Sequence, residues 1–385
     1  MILYPSYIIH PTSYILHHPS SIIHHPSYII HHPSSIIHHP SYIMEVHSHY
    51  PLKQFNTFGF DVHAGLFAAV GTTDELLAVL SDKRYCTLPL LILGGGSNSV
   101  FCDDFDGLVV HPQMTGIEKQ AEDAEFVYLR VGAGVVWDDF VSYAVQRNWG
   151  GAENLSLIPG RVGATPVQNI GAYGVEAKSI IHQAECILID TGERRVFSNA
   201  ECAFGYRDSV FKRAWKNKTV VTHVVFRLRK EPVLQTHYGH VADELKNYPE
   251  LSLQTMRQAI MAIRRRKLPD PAETGNAGSF FKNPVVPNET AMRIAAADPH
   301  LATYPVDGSS VKLPAGRLIE LAGWKGRRVG NVGVHPQQAL VLVHYGGATG
   351  HDIIALATAI QQSVYDKFGV HLEREVNVIL NPPNN

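Results

Sequence analysis

Between Asn154 and Glu176 the chain reads NLSLIPGRVGATPVQNIGAYGVE, four glycines and two prolines spaced among small residues. No helical or strand period survives such spacing, so this stretch must fold as a long irregular loop. Leu155, Leu157, Ile158, Val162, Val167 and Ile170 call for burial, unlike the residues of a solvated linker. The glycines allow backbone N–H groups to approach a partner closely. A loop of this kind either wraps a large ligand or forms a buried set of tight turns, and its own residues leave both open.

The rest of the chain narrows the choice. Its 385 residues, 45% hydrophobic, suffice for two or three domains with proper cores. Lys+Arg 33 against Asp+Glu 35 leaves it nearly neutral, so no basic field points to nucleic acid or an anionic membrane as partner. Cys86, Cys102, Cys186 and Cys202 form no CxxC pair, which argues against a zinc site and suits a reducing, cytoplasmic setting. No apolar run reaches the roughly 18 residues of a membrane span, and no metal site is expected. Residues 1–43 stand apart: HHPSSII and HHPSYII alternate with a seven-residue period, and nine of the 22 histidines lie there. Proline in each repeat rules out a coiled coil. This segment is expected to be disordered or to precede the natural start at Met44.

From Met44 the composition is that of a globular enzyme. Thr72 and Glu75 form a capping box ahead of a short amphipathic helix. Leu88–Leu93 reads as a strand running into Gly94-Gly95-Gly96-Ser97-Asn98. A dinucleotide fingerprint would need glycine where Ser99 stands, and the following helix is missing, so the turn is read instead as a nest of N–H groups suited to phosphate oxygens. Residues 107–111, 126–131, 186–190 and 220–228 read as strands and 135–149 as a helix, an α+β pattern without alternating βα units. Leu253–Lys267 is a helix with Met256, Ala259, Ile260 and Ile263 on one side. Its last turn, Arg264 to Lys267, either complements the helix dipole or lets Arg264 and Lys267 face one way and hold a diphosphate. Prolines 269 and 271 open a linker to a compact α/β unit, with helices near 315–322 and 352–368, a strand at 339–344 and a closing strand at 372–380. Glu373 and Glu375 share one face of that last strand.

GGGSN, IPGRVGATPVQNIGAYG, YRDS, GNAGSFFKNP, VHPQQALVLV and LEREV, in that order and spacing, resemble the flavoprotein family of UDP-N-acetylenolpyruvoylglucosamine reductases of peptidoglycan synthesis. The likeness runs from Phe55 to Ile379, and Tyr238-Gly239 is similar to the form with a tyrosine loop over the substrate. The resemblance implies a two-lobed FAD-binding region of the vanillyl-alcohol-oxidase (PCMH) type over residues 44–267, divided near residue 112. A substrate-binding α/β domain over 268–385 follows. It implies cofactor contacts from Gly94, Gly95, Gly96, Ser97, Asn98, Pro159, Gly160, Gly163, Ala164, Gln168, Asn169, Ile170, Gly171, Ala172 and Tyr173. Asn154 to Glu176 contains neither His nor Cys, so the FAD is expected to be non-covalent.

By the same resemblance Arg207 and Glu375 flank the substrate carboxylate and Ser279 donates a proton. Tyr238, Arg264, Lys267, Asn283, Tyr304, Lys325 and Gln338 bind UDP-N-acetylglucosamine enolpyruvate and, in turn, NADPH. With no second dinucleotide fold, one pocket is expected to serve both in a ping-pong scheme, in a monomer. Taken singly, Arg207 could pair only with Asp208 or Glu176, Ser279 could be a cap, and Glu373 and Glu375 could be exposed strand residues. Arg161 and His240 depart from the family pattern, where a small and an acidic residue are usual. Two other readings remain: a sugar or alcohol oxidase of the same flavin fold, and a non-catalytic nucleotide-sugar-binding protein.

Overall fold

A computed structural model describes residues 45–381; the repeat at 1–43 lies outside the described residues. The first lobe contains β1 (His47–Pro51), β2 (His63–Val70), α1 (Thr73–Ser81), β3 (Leu90–Ile92), β4 (Ser99–Phe101) and β5 (Phe105–Pro112). Its sheet has the order β1-β2-β5-β3, with β5 parallel to both β2 and β3. β5 is buried on both faces, as its run Leu108-Val109-Val110 demands. α1 starts at the reciprocal Thr72–Glu75 box.

The second lobe begins with β6 (Ile117–Glu122), β7 (Phe126–Gly132) and α2 (Trp137–Gln146). α2 is shorter than the 135–149 expected, because Asn148 adopts a left-handed φ of 60° ahead of Gly150. The glycine-rich loop follows, holding 3-10 turns at Glu153–Leu155 and Val162–Ala164, the single-turn α3 (Thr165–Gln168) and the hairpin β8 (Gly171–Ala172) and β9 (Val175–Glu176). β10 (Ile181–Leu188), β11 (Arg194–Ser198) and β12 (Thr219–Arg229) complete an antiparallel sheet of order β11-β10-β12-β7-β6. Phe140 and Phe226 stack in its core with Trp137 tilted against both, and the Trp137 indole N–H donates to the Leu155 carbonyl at 2.8 Å. The loop is thereby anchored to the lobe's core.

α4 (Val241–Leu245) and α5 (Leu253–Lys267) lead to the last third of the chain. α5 has the expected bounds. Ser252 and Thr255 cap its start, and Met256, Ala259, Ile260 and Ile263 are its buried stripe. Then come β13 (Asn276–Ser279), β14 (Val285–Pro287), α6 (Asn288–Ala297), β15 (Tyr304–Pro305), β16 (Ser310–Lys312), α7 (Ala315–Leu321), β17 (Arg328–Val329), β18 (Val332–Val334), β19 (Val341–His344), α8 (Gly350–Phe368) and β20 (Asn377–Ile379). Two sheets of order β13-β19-β18-β17 and β14-β16-β15 carry these helices.

The closing strand is shorter than 372–380. Only Asn377–Ile379 forms a ladder, parallel to β4 of the first lobe, while Arg374 makes a single bridge to Phe281. One hydrophobic core runs from Phe58, Phe67 and Val109 of the first lobe into Phe280, Leu318 and Ile360. This shared core joins the first lobe to the last third of the chain.

Candidate functional site

The Gly94–Asn98 turn and the Pro159–Arg161 turn pack against each other. Ser97 Oγ donates to the Pro159 carbonyl at 3.0 Å, and a Cβ added to Gly95 would lie 3.2 Å from Gly160 Cα. Gly96 has φ +58°, and a Cβ there would collide with the Phe55 carbonyl oxygen, so only glycine fits. The N–H groups of Gly94 through Asn98 donate to no acceptor among the described residues. Adjacent unpaired donors on a turn too tight for side chains suit a pyrophosphate, so these residues fit an FAD. Arg161 lays its stem along Gly94 and Gly95 and donates from Nη1 to the Gly134 carbonyl at 2.7 Å. The departing arginine thus braces the turn from behind.

At the far end of the loop the chain takes left-handed backbone at Asn169 (φ 45°) and Tyr173 (φ 48°). Asn169 is fully buried; its side chain accepts from Lys178 N and donates to the Gly205 carbonyl at 2.7 Å. That bond draws in the turn bearing Arg207, itself at φ 54°, a conformation costing a non-glycine residue about 1–2 kcal/mol. Arg207 pairs with neither Asp208 nor Glu176. Its Nε donates to Glu375 Oε1 at 2.9 Å and its Nη2 to the Gly171 carbonyl, while Nη1 has no protein partner among the described residues. Glu375 Oε1 also accepts from Gln168 Nε2 at 3.0 Å. Asp208 instead pairs with Arg213, and Glu176 with Lys178.

Two further cations meet here that sequence reasoning passed over. Lys212 Nζ donates to Gln168 Oε1 at 3.0 Å and to the Arg207 carbonyl at 3.1 Å; burial and Lys282 press its pKa down, against the pull of nearby carboxylates. Lys282 pairs with Glu373. Arg207, Lys212 and Lys282 against Glu373 and Glu375 leave one positive charge in excess, which suits an anionic ligand. No motif signalled Lys212; only the fold of the segment after Asp208 brings it in.

Ser279 ends β13, and the next carbonyl, that of Phe280, accepts from the Glu375 N–H at 2.9 Å. Its hydroxyl caps no helix and bonds to no described residue. Main chain therefore ties Ser279 to the Arg207–Glu375 pair.

A cavity of about 810 Å³ opens beside this pair, lined by Gly171 through Glu176, Tyr206, Arg207, Tyr238, Asn283 and Lys312 among others. A second, of about 430 Å³, is lined by Tyr238, Lys267, Asn283, Tyr304, Lys325 and Gln338 with His240 and Arg317. Tyr238 and Asn283 border both, so the two are neighbours. The Tyr238 and Tyr304 rings stack with centroids 6.2 Å apart. Asn283 Oδ1 accepts from Ala315 N at the start of α7, and Lys325 pairs with Glu320. Arg264 is the exception: it lines neither cavity and does not face the way Lys267 does. It lies beside Tyr173 and Asp138, because α5 turns that side toward the loop. The expected Arg264–Lys267 diphosphate clamp is not assembled.

Comparison with known proteins identifies the family. The C-terminal domain family of UDP-N-acetylenolpyruvoylglucosamine reductase matches residues 270–379, and the FAD binding domain family matches residues 64–198. The UDP-N-acetylenolpyruvoylglucosamine reductase of Bacteroides fragilis is 48% identical over 330 residues, covering 86% of this chain and 99% of its own. That of Flavobacterium johnsoniae is 46% identical over 339 residues, covering 87% and 100%. The crystal structure of the Thermus caldophilus enzyme superposes with a TM-score of 0.58 at 24% identity over 88% of this chain and 99% of that one, a likeness of fold. With such relatives matched nearly end to end, the chain belongs to the UDP-N-acetylenolpyruvoylglucosamine reductase family.

Proposed function

We propose that this chain uses NADPH to reduce the enolpyruvyl group of UDP-N-acetylglucosamine enolpyruvate to UDP-N-acetylmuramate, a peptidoglycan precursor. The observation that carries this reading is the contact of Arg207 with Glu375 and with Gly171 of the glycine-rich loop, beside the large cavity. Bound FAD supplies the chemistry of passing an electron pair from NADPH to the substrate double bond. Gly94, Gly95, Gly96, Ser97 and Asn98 are assigned to its pyrophosphate. Pro159, Gly160, Gly163, Ala164 and Gln168 through Tyr173 are assigned to the remainder, held without a covalent bond.

The substrate's C=C bond is conjugated to a carboxylate, so reduction drives negative charge toward the carboxylate oxygens. Arg207 is suited to receive it. Its Nε and Nη2 are fixed by Glu375 and Gly171, while Nη1 keeps its donors free for an anion. Glu375 positions that guanidinium and balances part of its charge. Ser279 is assigned the proton for the adjacent carbon. A serine hydroxyl is a weak acid, but an enolate-like carbon is a strong base, and placement decides the rate.

Tyr238, Lys267, Asn283, Tyr304, Lys325 and Gln338 are assigned to the UDP-sugar and, in alternation, to NADPH. Residues 44–267 then form the cofactor region and 268–385 the substrate domain of a cytoplasmic monomer. No helix among the described residues is long and apolar enough to cross a membrane. The direct test is colour: the purified protein should be yellow, bleach with NADPH under argon, and regain its colour on adding the substrate. A colourless preparation, or recolouring only by air, overturns the reading.

A further inference from the structure

Lys212 has no role in the reaction as assigned, yet it holds residues that do. Its Nζ donates to Gln168 Oε1 at 3.0 Å and to the Arg207 carbonyl at 3.1 Å. It lines neither cavity, and the neighbouring carboxylates Glu375 and Glu373 pair with Arg207 and Lys282 instead. An ammonium drawn out of water to meet only neutral oxygens costs more than an apolar side chain of similar length would. Packing alone does not account for a lysine here.

What its bonds fix follows from their partners. As an ammonium, Lys212 has donors and no acceptor, so the amide atom of Gln168 that faces it is the oxygen. The amide nitrogen is thereby turned the other way, and Nε2 donates to Glu375 Oε1 at 3.0 Å. The same carboxylate oxygen accepts from Arg207 Nε at 2.9 Å. A reversed amide would set its oxygen against the carboxylate and push it off the guanidinium. Lys212 also meets the main chain of Arg207, which sits at φ 54° in a turn closed by backbone bonds between Gly205 and Asp208. One lysine thus anchors Arg207 at both ends, its carbonyl directly and its guanidinium by way of Gln168 and Glu375.

A local device puts the lysine there. Ser209 is fully buried and accepts from Phe211 N at 3.2 Å to start a 3-10 turn over Val210–Lys212. The Ser209 hydroxyl donates to the Val167 carbonyl at 2.8 Å. That bond pins the turn beside the residue before Gln168, within reach of the amide.

We infer that Lys212 is a positioning residue for the reduction step: it sets the direction of the Gln168 amide, so that Glu375 aims the Arg207 guanidinium at the substrate carboxylate. The inference rests on the functional reading above.

The test uses purified holoproteins of wild type, K212M, K212R, Q168L and K212M/Q168L, with both half-reactions followed by stopped-flow absorbance. K212M should bleach with NADPH within about threefold of wild type and recolour with substrate about 10- to 100-fold more slowly, the loss expected of a misplaced group. K212R, which keeps a cation with donors, should recover most of that rate. Because Lys212 acts through Gln168, the double variant should recolour within about threefold of Q168L. Binding gives a readout without turnover. In oxidised K212M the Kd of UDP-N-acetylglucosamine enolpyruvate should rise about threefold or more, while that of UDP-N-acetylglucosamine, which lacks the carboxylate, should change less than about twofold.

Unchanged recolouring in K212M, equal slowing of both half-reactions, or single losses that multiply in the double variant each overturn the inference. If K212M does not retain FAD, K212Q, polar but too short to span both oxygens, carries the same comparison. A wild type that bleaches yet does not recolour with substrate overturns the functional reading and the inference with it; normal wild-type recolouring beside an unaffected variant overturns the inference alone.

Discussion

Replacing Asp138 with Asn should destabilise the FAD-free protein by about 2–3 kcal/mol, near the lower edge of the range for breaking a buried ion pair. The carboxylate serves three donors at once, Leu157 N at 2.5 Å and both Arg257 terminal nitrogens at 2.7 and 2.8 Å. The Arg257 and Asp138 side chains are 14% and 23% exposed, so water can repay only part of the lost partner. Asn keeps an acceptor for Leu157, whose left-handed φ of 59° depends on that bond, but leaves Arg257 as well as Arg264 without a counter-charge. Ala removes the acceptor too and should cost about 1 kcal/mol more, the strain of an unsupported left-handed residue. The assay is equilibrium urea unfolding of apoprotein at pH 7, since bound cofactor would add stability of its own. The double variant D138N/R257M should recover at least half of the loss, because it removes the orphaned guanidinium while keeping an acceptor for Leu157. A loss under about 1 kcal/mol for D138N, or a double variant no better than the single, would refute the reasoning.

The same residue predicts a pH dependence. Burial opposes ionisation of Asp138, but the Arg257 hydrogen bonds, the Leu157 N–H and the charges of Arg257 and Arg264 outweigh it and hold the pKa below the usual carboxylate range. A depressed carboxyl contributes stability that is fully present above its unfolded pKa of about 3.9 and disappears as pH falls through its folded value. Wild type should therefore lose stability more steeply than D138N below about pH 4.

Ser279→Ala should leave bleaching by NADPH within about threefold of wild type and slow recolouring by substrate about 10²- to 10⁴-fold, read by stopped-flow absorbance; equal loss in both halves would remove the proton-donor assignment. Gly96→Ala must place a Cβ against the Phe55 carbonyl at φ +58°, and should weaken FAD binding at least tenfold by fluorescence titration, since the backbone strain alone is about 1–2 kcal/mol. Of the four cysteines only Cys86 is exposed, and burial pushes the Cys202 thiol up to about 12 and raises those of Cys102 and Cys186. A thiol reagent at pH 8 should thus modify one site quickly in the native protein, and the other three only on unfolding.

Elements governed by neighbours in sequence are legible in the residues themselves. α5 declares itself through Ser252, an i, i+3, i+4 stripe and Pro269, and the glycine-rich loop through the loss of every period. β2, by contrast, reads His63-Ala-Gly-Leu-Phe-Ala-Ala-Val and gives no clean alternation, because it is buried in a parallel pairing with β5. β6 is an exposed edge strand of mostly polar residues, and α6 has a stripe built largely of alanine, so neither stands out. The closing strand differs for the opposite reason. Its apolar pattern begins before the ladder does: residues 372–376 make only isolated backbone bonds to Phe280, Phe281 and Lys282, and only the segment opposite β4 forms a ladder.

The site divides along the same line. The cradle's glycines, the YRDS and LEREV blocks and the cavity tyrosines are visible as residues, and a family likeness orders them. What they touch is not visible in the sequence. Arg207 meets Glu375 across 168 positions, Asp138 meets Arg257 across 119, and Lys212 joins Gln168 across 44. Backbone dihedrals, caps and side-chain periods act over a few residues, so the sequence by itself determined helices, turns and a long irregular loop whose apolar residues ask for burial. Which charges are paired depends on how the sheets and one long loop close on each other, and only the tertiary structure decided that.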